Sequence, residues 1–438
     1  MVGIPDGTGA HSNPDGTRTI FMNHELPVSP TVATSQPIIG DPVNRGAIVS
    51  KLIVDGDGNV LSGDRAYDVV YDESAANPVR LPPPDASNST RPFSRFCSAT
   101  LVGPPDGFDR WIYMPNEEEG TESNTFDGKG GVAVAVFDNE LHTMPKLGRF
   151  AWENTIPQPN SKDNRTVVLS MEDGPVQTDP AVENSQVYMY VGTKGRSPGA
   201  SVLNRNGLDN GSLFVLAPVD PAQRLEQSFG DEDGSIPVKW VQVPNADSTT
   251  ETQLEAASDA AGAINFARPE DGAFNKKNKN HFFFVTTGGL AGENELGRLY
   301  SLRINPSDPT AKGALRVVYE ADEVIAGGGD IAISPDNVDT SDKYLMINED
   351  GTTESRIVMG QKGRDGSIWR FKLNGGSGGV DVNSAKRIAE LDPPGQLGGG
   401  TVGPGIWRPV GSPTHRICSG RGAGSSTSRR IRRPSRLA

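Results

Sequence analysis

Carboxylates recur in this chain where apolar segments end. Glu117, Glu118 and Glu119 follow WIYMPN, Glu153 follows GRFAW, and Glu172 and Asp173 follow VVLSM. Glu270 and Asp271 follow Arg268 and Pro269, and Glu349 and Asp350 follow YLMIN. All five places show a strand-like or aromatic lead-in closed by one or more acids. Carboxylate oxygens are hard donors, suited to Ca²⁺, Mg²⁺, Mn²⁺ or Fe³⁺. Any single acidic pair is most simply a solvated turn. A set converging on one point is different, because so many negative charges repel strongly unless cations neutralise them. The metal reading therefore depends on a fold that brings the five places together.

Arg268 and Cys97 extend the set. An arginine beside carboxylates at a metal centre offers a forked donor for phosphate or carboxylate oxygens. Pro269 fixes its own φ and restrains the residue before it. As an exposed Arg–Glu pair the same residues would contribute little. Cys97, in SRFCSATL, reads as a small buried hydrophobe or, as a thiolate, a ligand for a softer metal such as iron. DGDGN (55–59) opens like a calcium loop but lacks its closing Glu, and a hairpin turn between KLIV and VLSG accounts for it. GDEDG (230–234) is equally ambiguous. His24 and Glu25 in MNHE could reach the site, although a hydrogen-bonded structural histidine accounts for His24. There is no GxxxxGK followed by Ser or Thr, and no H-E-x-x-H. The five histidines show no metal-ligand spacing, which argues against a histidine-built zinc site.

Short strands must position these residues. IFMNHEL, AIVSKLIV, RWIYMPN, GVAVAVF, RTVVLSM, QVYMYVG, HFFFVTT, GRLYSLRIN, KYLMINED and GSIWRFKLN are aromatic or β-branched and bounded by Gly, Asp, Asn or Pro. Helical periodicity is confined to TQLEAASDAAGAINFA, around 252–267. A unit repeats: GRLYSLRIN (297–305) matches GSIWRFKLN (366–374) as a closing strand, 69 residues apart. HFFFVTTGG (281–289) matches KYLMINEDG (343–351), 62 apart, and the turns RPEDG (268–272) and SPDNV (334–338) lie 66 apart. QVYMYVGTK (186–194) resembles the same closing strand. Such a period means a solenoid or propeller, and strands with long variable loops favour an all-β propeller of about five to seven blades.

Composition agrees. The 438 residues include 52 glycines and 34 prolines, as many short strands joined by tight turns require. The net charge of −13 argues against nucleic acid as a partner, and no apolar run is long enough for a membrane helix. Two cysteines, Cys97 and Cys418, do not make a disulfide scaffold. The N-terminus shows no basic segment followed by an apolar one, so no signal peptide is legible.

Taken in order, PDGTGAHSNPDGTRTIFMNHEL, RFCSATL, NEEEG, GRFAWEN, VVLSMEDG, QVYMYVGTK, RPEDG, SPDNV, INEDG and IWRFKLN resemble the PhoX-type alkaline phosphatases, over roughly Gly3 to Trp407. The resemblance implies a six-bladed propeller with an iron and calcium cluster on its axis. It implies hydrolysis of small phosphate monoesters in the periplasm or outside the cell, and we expect a monomer. Cys97 would be an iron ligand. Glu118 and Glu119 would match the acidic pair, with Glu117 as the alternative register. Glu153, Asp173 (or Glu172), Glu270 and Asp350 (or Glu349) would bind metal, with Asp271 a lesser candidate, and Arg268 would contact the phosphate. The alternatives are a calcium-dependent propeller acting on lactones or other esters, and a non-catalytic calcium-binding propeller. After GIW (405–407) the composition changes abruptly, and residues 415–438 hold seven arginines and no acid. The expectation is one propeller over 1–410, its last blade incomplete, and a disordered basic tail over 411–438 that reads as a frame change or gene fragment.

Overall fold

Side chains along a strand alternate between its two faces, so a strand buried on both faces reads as a continuous apolar run. HFFFVT is such a run. In the computed structural model Phe282 and Phe284 join one core cluster, and Phe283 and Val285 join the next. The structure describes residues 4–390 apart from 29–44, 76, 86, 161–163, 175–184, 230–234, 290–293 and 375–378.

Among the described residues five antiparallel blades follow one another, the third and fourth joined at their outer edges into one nine-stranded sheet. Blade 1 comprises β1 (Ile4–Ser12), β2 (Arg18–Glu25), β3 (Ile48–Val54) and β4 (Val60–Arg65). Two short strands, β5 (Val69–Asp72) and β6 (Val79–Leu81), extend the outer edge of blade 2. That blade comprises β7 (Phe96–Val102), β8 (Ile112–Glu117), β9 (Val134–Phe137) and β10 (Glu140–Thr143). Blade 3 holds β11 (Trp152–Pro157), β12 (Arg165–Glu172), β13 (Val187–Thr193), β14 (Ser212–Pro218) and β15 (Ser235–Val243). Blade 4 holds β16 (Pro269–Asn275), β17 (Asn278–Thr286), β18 (Arg298–Arg303) and β19 (Gly313–Glu320). Blade 5 holds β20 (Pro335–Thr340), β21 (Tyr344–Glu349), β22 (Ser367–Leu373) and β23 (Val380–Glu390). The innermost strands β1, β7, β11, β16 and β20 lie side by side in that order around the axis. This is a β-propeller. A sixth blade, its completeness and the basic tail concern residues outside those described, as do Cys418 and GDEDG.

Four apolar clusters each fill the space between consecutive blades. Phe150, Trp152 and Tyr188 stack between blades 2 and 3, and Phe284 lies on Tyr300 at 4.8 Å between blades 3 and 4. At the axis the approach is closer still. A Cβ on Gly7 would stand 2.5 Å from the Ala99 nitrogen, so only glycine lets β1 lie against β7 there.

Three local expectations change. GRLYSLRIN, GSIWRFKLN and QVYMYVGTK form β18, β22 and β13, each the third strand of its blade, with an outer strand still to come. RPEDG and SPDNV are not loops, because their prolines begin the innermost strands β16 and β20. An innermost strand has a neighbour on one side only, so a proline at its start sacrifices little of the ladder. The helix over 252–267 shortens to α2 (Glu251–Ala260), capped by Thr250 and Gln253 and ended before Gly262, whose φ is +81°. DGDGN is the β3–β4 turn, where Asp55 accepts the N–H groups of Asp57 (2.9 Å) and Asn59 (2.8 Å).

Candidate metal centre and active site

One local design, repeated around the axis, aims the site. In blades 2 to 5 the second residue of the innermost strand is Cys97, Glu153, Glu270 or Asp336. The ladder slips at each of these residues, and in β1 it slips between Asp6 and Thr8. A bulge leaves a residue unpaired and re-aims its side chain, here towards the axis. A backbone bond locks each bulge: the N–H of Glu118, Asp173, Thr287 and Asp350 donates to the carbonyl of Arg95 (3.0 Å), Ala151 (2.9 Å), Arg268 (3.0 Å) and Ser334 (2.7 Å). These donors directly follow the second strand of each blade, so their side chains reach the same end of the axis.

Alternation along the second strand sorts the adjacent acids. Its last residue turns inward and braces backbone. Glu117 accepts from the N–H groups of Ser94 (2.9 Å) and Phe126 (3.0 Å), and Glu172 from Gln186 (3.0 Å). Glu349 accepts from Ile333 (2.9 Å) and Ser367 (3.0 Å) and pairs with the fully buried Arg364 at 2.5 Å. Asp271 accepts from the Asn154 amide (2.6 Å) and the Gly272 (2.7 Å) and Val338 (3.0 Å) backbones. Glu119 accepts from Ser94 and Thr121 and is not among the residues lining the axial cavity.

The cavity has a volume of about 650 Å³ and is walled by Glu25, Arg95, Cys97, Glu118, Glu153, Asp173, Arg268, Glu270 and Asp350, with Glu172 and the α2 acids Glu251 and Glu255. Three overlapping groups bring one donor atom from each member within 4.8 Å of the others: Asp6, Glu25 and Cys97; Cys97, Glu118 and Glu153; Glu153, Asp173 and Glu270. They share Cys97 and Glu153, and so form one continuous row. Sequence reasoning missed Asp6 and Asp336 and gave Glu25 only passing notice. His24 is structural, bonded to the Ser50 hydroxyl at 2.7 Å.

The electrostatics of this row favour bound cations. Burial, then Glu270, Glu118, Asp336 and Asp173, push the Glu153 carboxyl well above the usual range. Burial and Asp173 raise Glu270 against the opposing pull of Arg268. Glu118 rises to about 8 through burial and Asp173, opposed by Arg95. Burial and then the Asp6, Glu153, Glu118 and Glu25 charges raise the Cys97 thiol. Oε1 of Glu153 is buried with no hydrogen-bond partner among the described residues. A multivalent cation would reverse each of these penalties, and the mixed oxygen and sulfur donors fit both a hard ion and a softer one.

Arg268 stands at the wall of the row with 24% of its side chain exposed. Its Nε donates to Asp173 Oδ1 (2.7 Å) and its Nη2 to Oδ2 (3.0 Å), and Nη2 lies 3.1 Å from Glu270 Oε1. Burial opposes its charge, but Asp173, Glu270 and Asp350 outweigh burial and keep it protonated.

A propeller with a buried thiol and carboxylate row at one end of its axis, and a guanidinium beside that row, carries donors suited to holding metal ions. The chain belongs to the alkaline phosphatase PhoX family, whose model matches residues 137–396. It is thereby a metal-dependent phosphoric monoester hydrolase, and neither the lactonase nor the non-catalytic alternative is favoured. Among solved structures, Pseudomonas fluorescens PhoX in complex with vanadate, a transition state analogue, is similar at 15% identity and a TM-score of 0.60. The match covers 89% of this chain and 80% of that one. An α-L-arabinofuranosidase from Fusarium graminearum with an iminosugar inhibitor matches at 11% identity and TM-score 0.23, covering 73% of this chain and 94% of its own. A Synechocystis apocarotenoid oxygenase mutant matches at 9% identity and TM-score 0.24, covering 73% and 62%. No curated protein matches the sequence at a significant level.

Proposed function

We propose that phosphate-monoester hydrolysis takes place in the axial cavity, with Arg268 as the phosphate clamp and the Cys97–Glu153 row as the metal holder. The observation that carries this reading is the set of three donor groups linked through Cys97 and Glu153, with a guanidinium at their edge. Cys97, with Asp6, Glu25, Glu118 and Glu153, suits iron, and the all-oxygen group of Glu153, Asp173 and Glu270 suits calcium. Bound cations supply charge neutralisation and activation of the attacking oxygen.

The chain's own residues supply the rest. Asp173 holds one edge of the Arg268 guanidinium through Nε and Nη2 and so fixes its plane before substrate arrives. The guanidinium's remaining N–H groups then serve phosphate oxygens whose charge is redistributed in the transition state. Among the described residues no serine or histidine lines the cavity, so no Ser–His pair is at hand to provide a nucleophile. Glu251 and Glu255 on α2 line the same cavity, and when ionised they disfavour anionic leaving groups. The substrate is a small phosphate ester rather than nucleic acid, and we place the enzyme in the periplasm or outside the cell, as a monomer. Among the described residues no helix is long and apolar enough to cross a membrane.

The test is turnover of p-nitrophenyl phosphate by purified protein before and after chelation. Activity that disappears on chelation and returns with calcium and iron is expected. Turnover that survives exhaustive chelation, or hydrolysis of lactones in preference to phosphate esters, contradicts the reading.

A further inference from the structure

Arg95 occupies in blade 2 the place that Arg268 occupies in blade 4. Each directly precedes an innermost strand, and each has a left-handed backbone, with φ of +44° and +58°. Each offers its carbonyl to the residue that ends the second strand turn, Glu118 or Thr287, at 3.0 Å. Both line the axial cavity, and among the described residues they are its only cations, against nine carboxylates. Ser334 shares this conformation in blade 5 with φ of +43°, so the left-handed backbone belongs to the blade repeat, and what sets the two positions apart is the guanidinium they carry into the cavity. Ala151 and Ser334 hold the corresponding places in blades 3 and 5, so the blade itself does not need a cation there.

The two guanidiniums differ in how they are held. Arg268 is gripped by both oxygens of Asp173 and by Glu270. Arg95 meets one carboxylate, with Nη2 at 2.7 Å from Glu118 Oε1 and Nε donating to the Glu118 carbonyl at 2.8 Å, and 37% of its side chain stays exposed. A phosphate dianion in a cavity lined by so many carboxylates needs attraction to offset their charge.

We propose that Arg95 is a second phosphate-binding residue, which grips the substrate phosphate from blade 2 while Arg268 grips it from blade 4. The inference rests on the phosphatase reading. Because Arg95 is the looser and more exposed of the two, it contributes mainly to binding, and equally in ground state and transition state.

The test uses Arg95→Gln and Arg95→Lys in the metal-loaded enzyme. Metal content, the KM for p-nitrophenyl phosphate, kcat and the inhibition constant for inorganic phosphate are measured. A charged hydrogen bond lost from binding raises KM and the phosphate inhibition constant together about 10- to 100-fold in Arg95→Gln, with kcat little changed. Arg95→Lys, which keeps charge but not the fork, falls between. Unchanged constants at full metal content overturn the proposal. So does a loss of metal in Arg95→Gln that Arg95→Lys fully reverses, since Arg95 would then merely position Glu118 in the donor row. If the wild type turns over no phosphate ester, the functional reading fails by itself. Calorimetric binding of inorganic phosphate then decides the role of Arg95: weaker binding in Arg95→Gln supports it, and equal binding or none in either protein overturns it.

Discussion

Arg268→Gln is expected to lower kcat/KM for phosphate monoesters about 10²- to 10³-fold, mostly in kcat, the scale seen when one preorganised transition-state donor is removed. Asp173 holds this guanidinium through Nε and Nη2, and Glu270 adds a third contact, so the fork is oriented without substrate. A donor already in place costs no reorganisation when charge develops on the phosphoryl oxygens. Removal of the cation also leaves Asp173 and Glu270 uncompensated, which strengthens their hold on metal rather than weakening it. The variant should therefore keep its metals while losing rate, and that combination separates a catalytic role from a structural one. Arg268→Lys restores charge but cannot satisfy both Asp173 oxygens in one plane, and should recover only part of the rate. Steady-state kinetics with metal analysis checks both variants, and an undiminished kcat in Arg268→Gln removes Arg268 from the mechanism.

Metal removal is expected to make stability strongly pH-dependent. Burial and like charge raise Glu118 to about 8 and push Glu153 and Glu270 well above the ordinary 4.5, and Glu251 rises to about 8 mainly through burial. A raised carboxyl binds its proton more tightly folded than unfolded. Folding then carries no penalty below the unfolded value near 4.5 and loses stability as pH climbs through the folded value. One pKa unit corresponds to about 1.4 kcal/mol, so these acids together can destabilise the metal-free protein by several kcal/mol between about pH 5 and pH 9. Bound cations replace the protons and remove the penalty. Thermal unfolding of chelated protein should show Tm falling across that range, with the metal-loaded protein nearly flat. A metal-free Tm that rises with pH would contradict the charge arrangement.

Much of this architecture was legible in the sequence because it repeats. HFFFVT declares a strand buried on both faces, and the offset between RPEDG and SPDNV declares the blade. The site was harder to read for a specific reason. Which member of an adjacent acidic pair reaches the axis depends on the residue at which a strand ends, and composition does not show that boundary. Glu172 and Glu349 end their strands and brace backbone, whereas Asp173 and Asp350 come one residue later and line the cavity more openly. Bulges are equally silent in sequence, so RPED looked like a stiff turn although it begins a strand. Asp6 lies in IPDGTG, where Pro-Asp-Gly signals a turn. Asp336 could have been found, because SPDNV had already been aligned with RPEDG, and Glu270 points to it directly.

The central claim is that one row of donors, joined through Cys97 and Glu153, holds the metals. Elemental analysis of dialysed wild-type protein beside Glu153→Gln tests it most directly. The account predicts iron and calcium together in the wild type and loss of both kinds of site in the variant, because Glu153 belongs to two of the three groups. A wild type without metal, or a Glu153→Gln variant with its full complement, would contradict it.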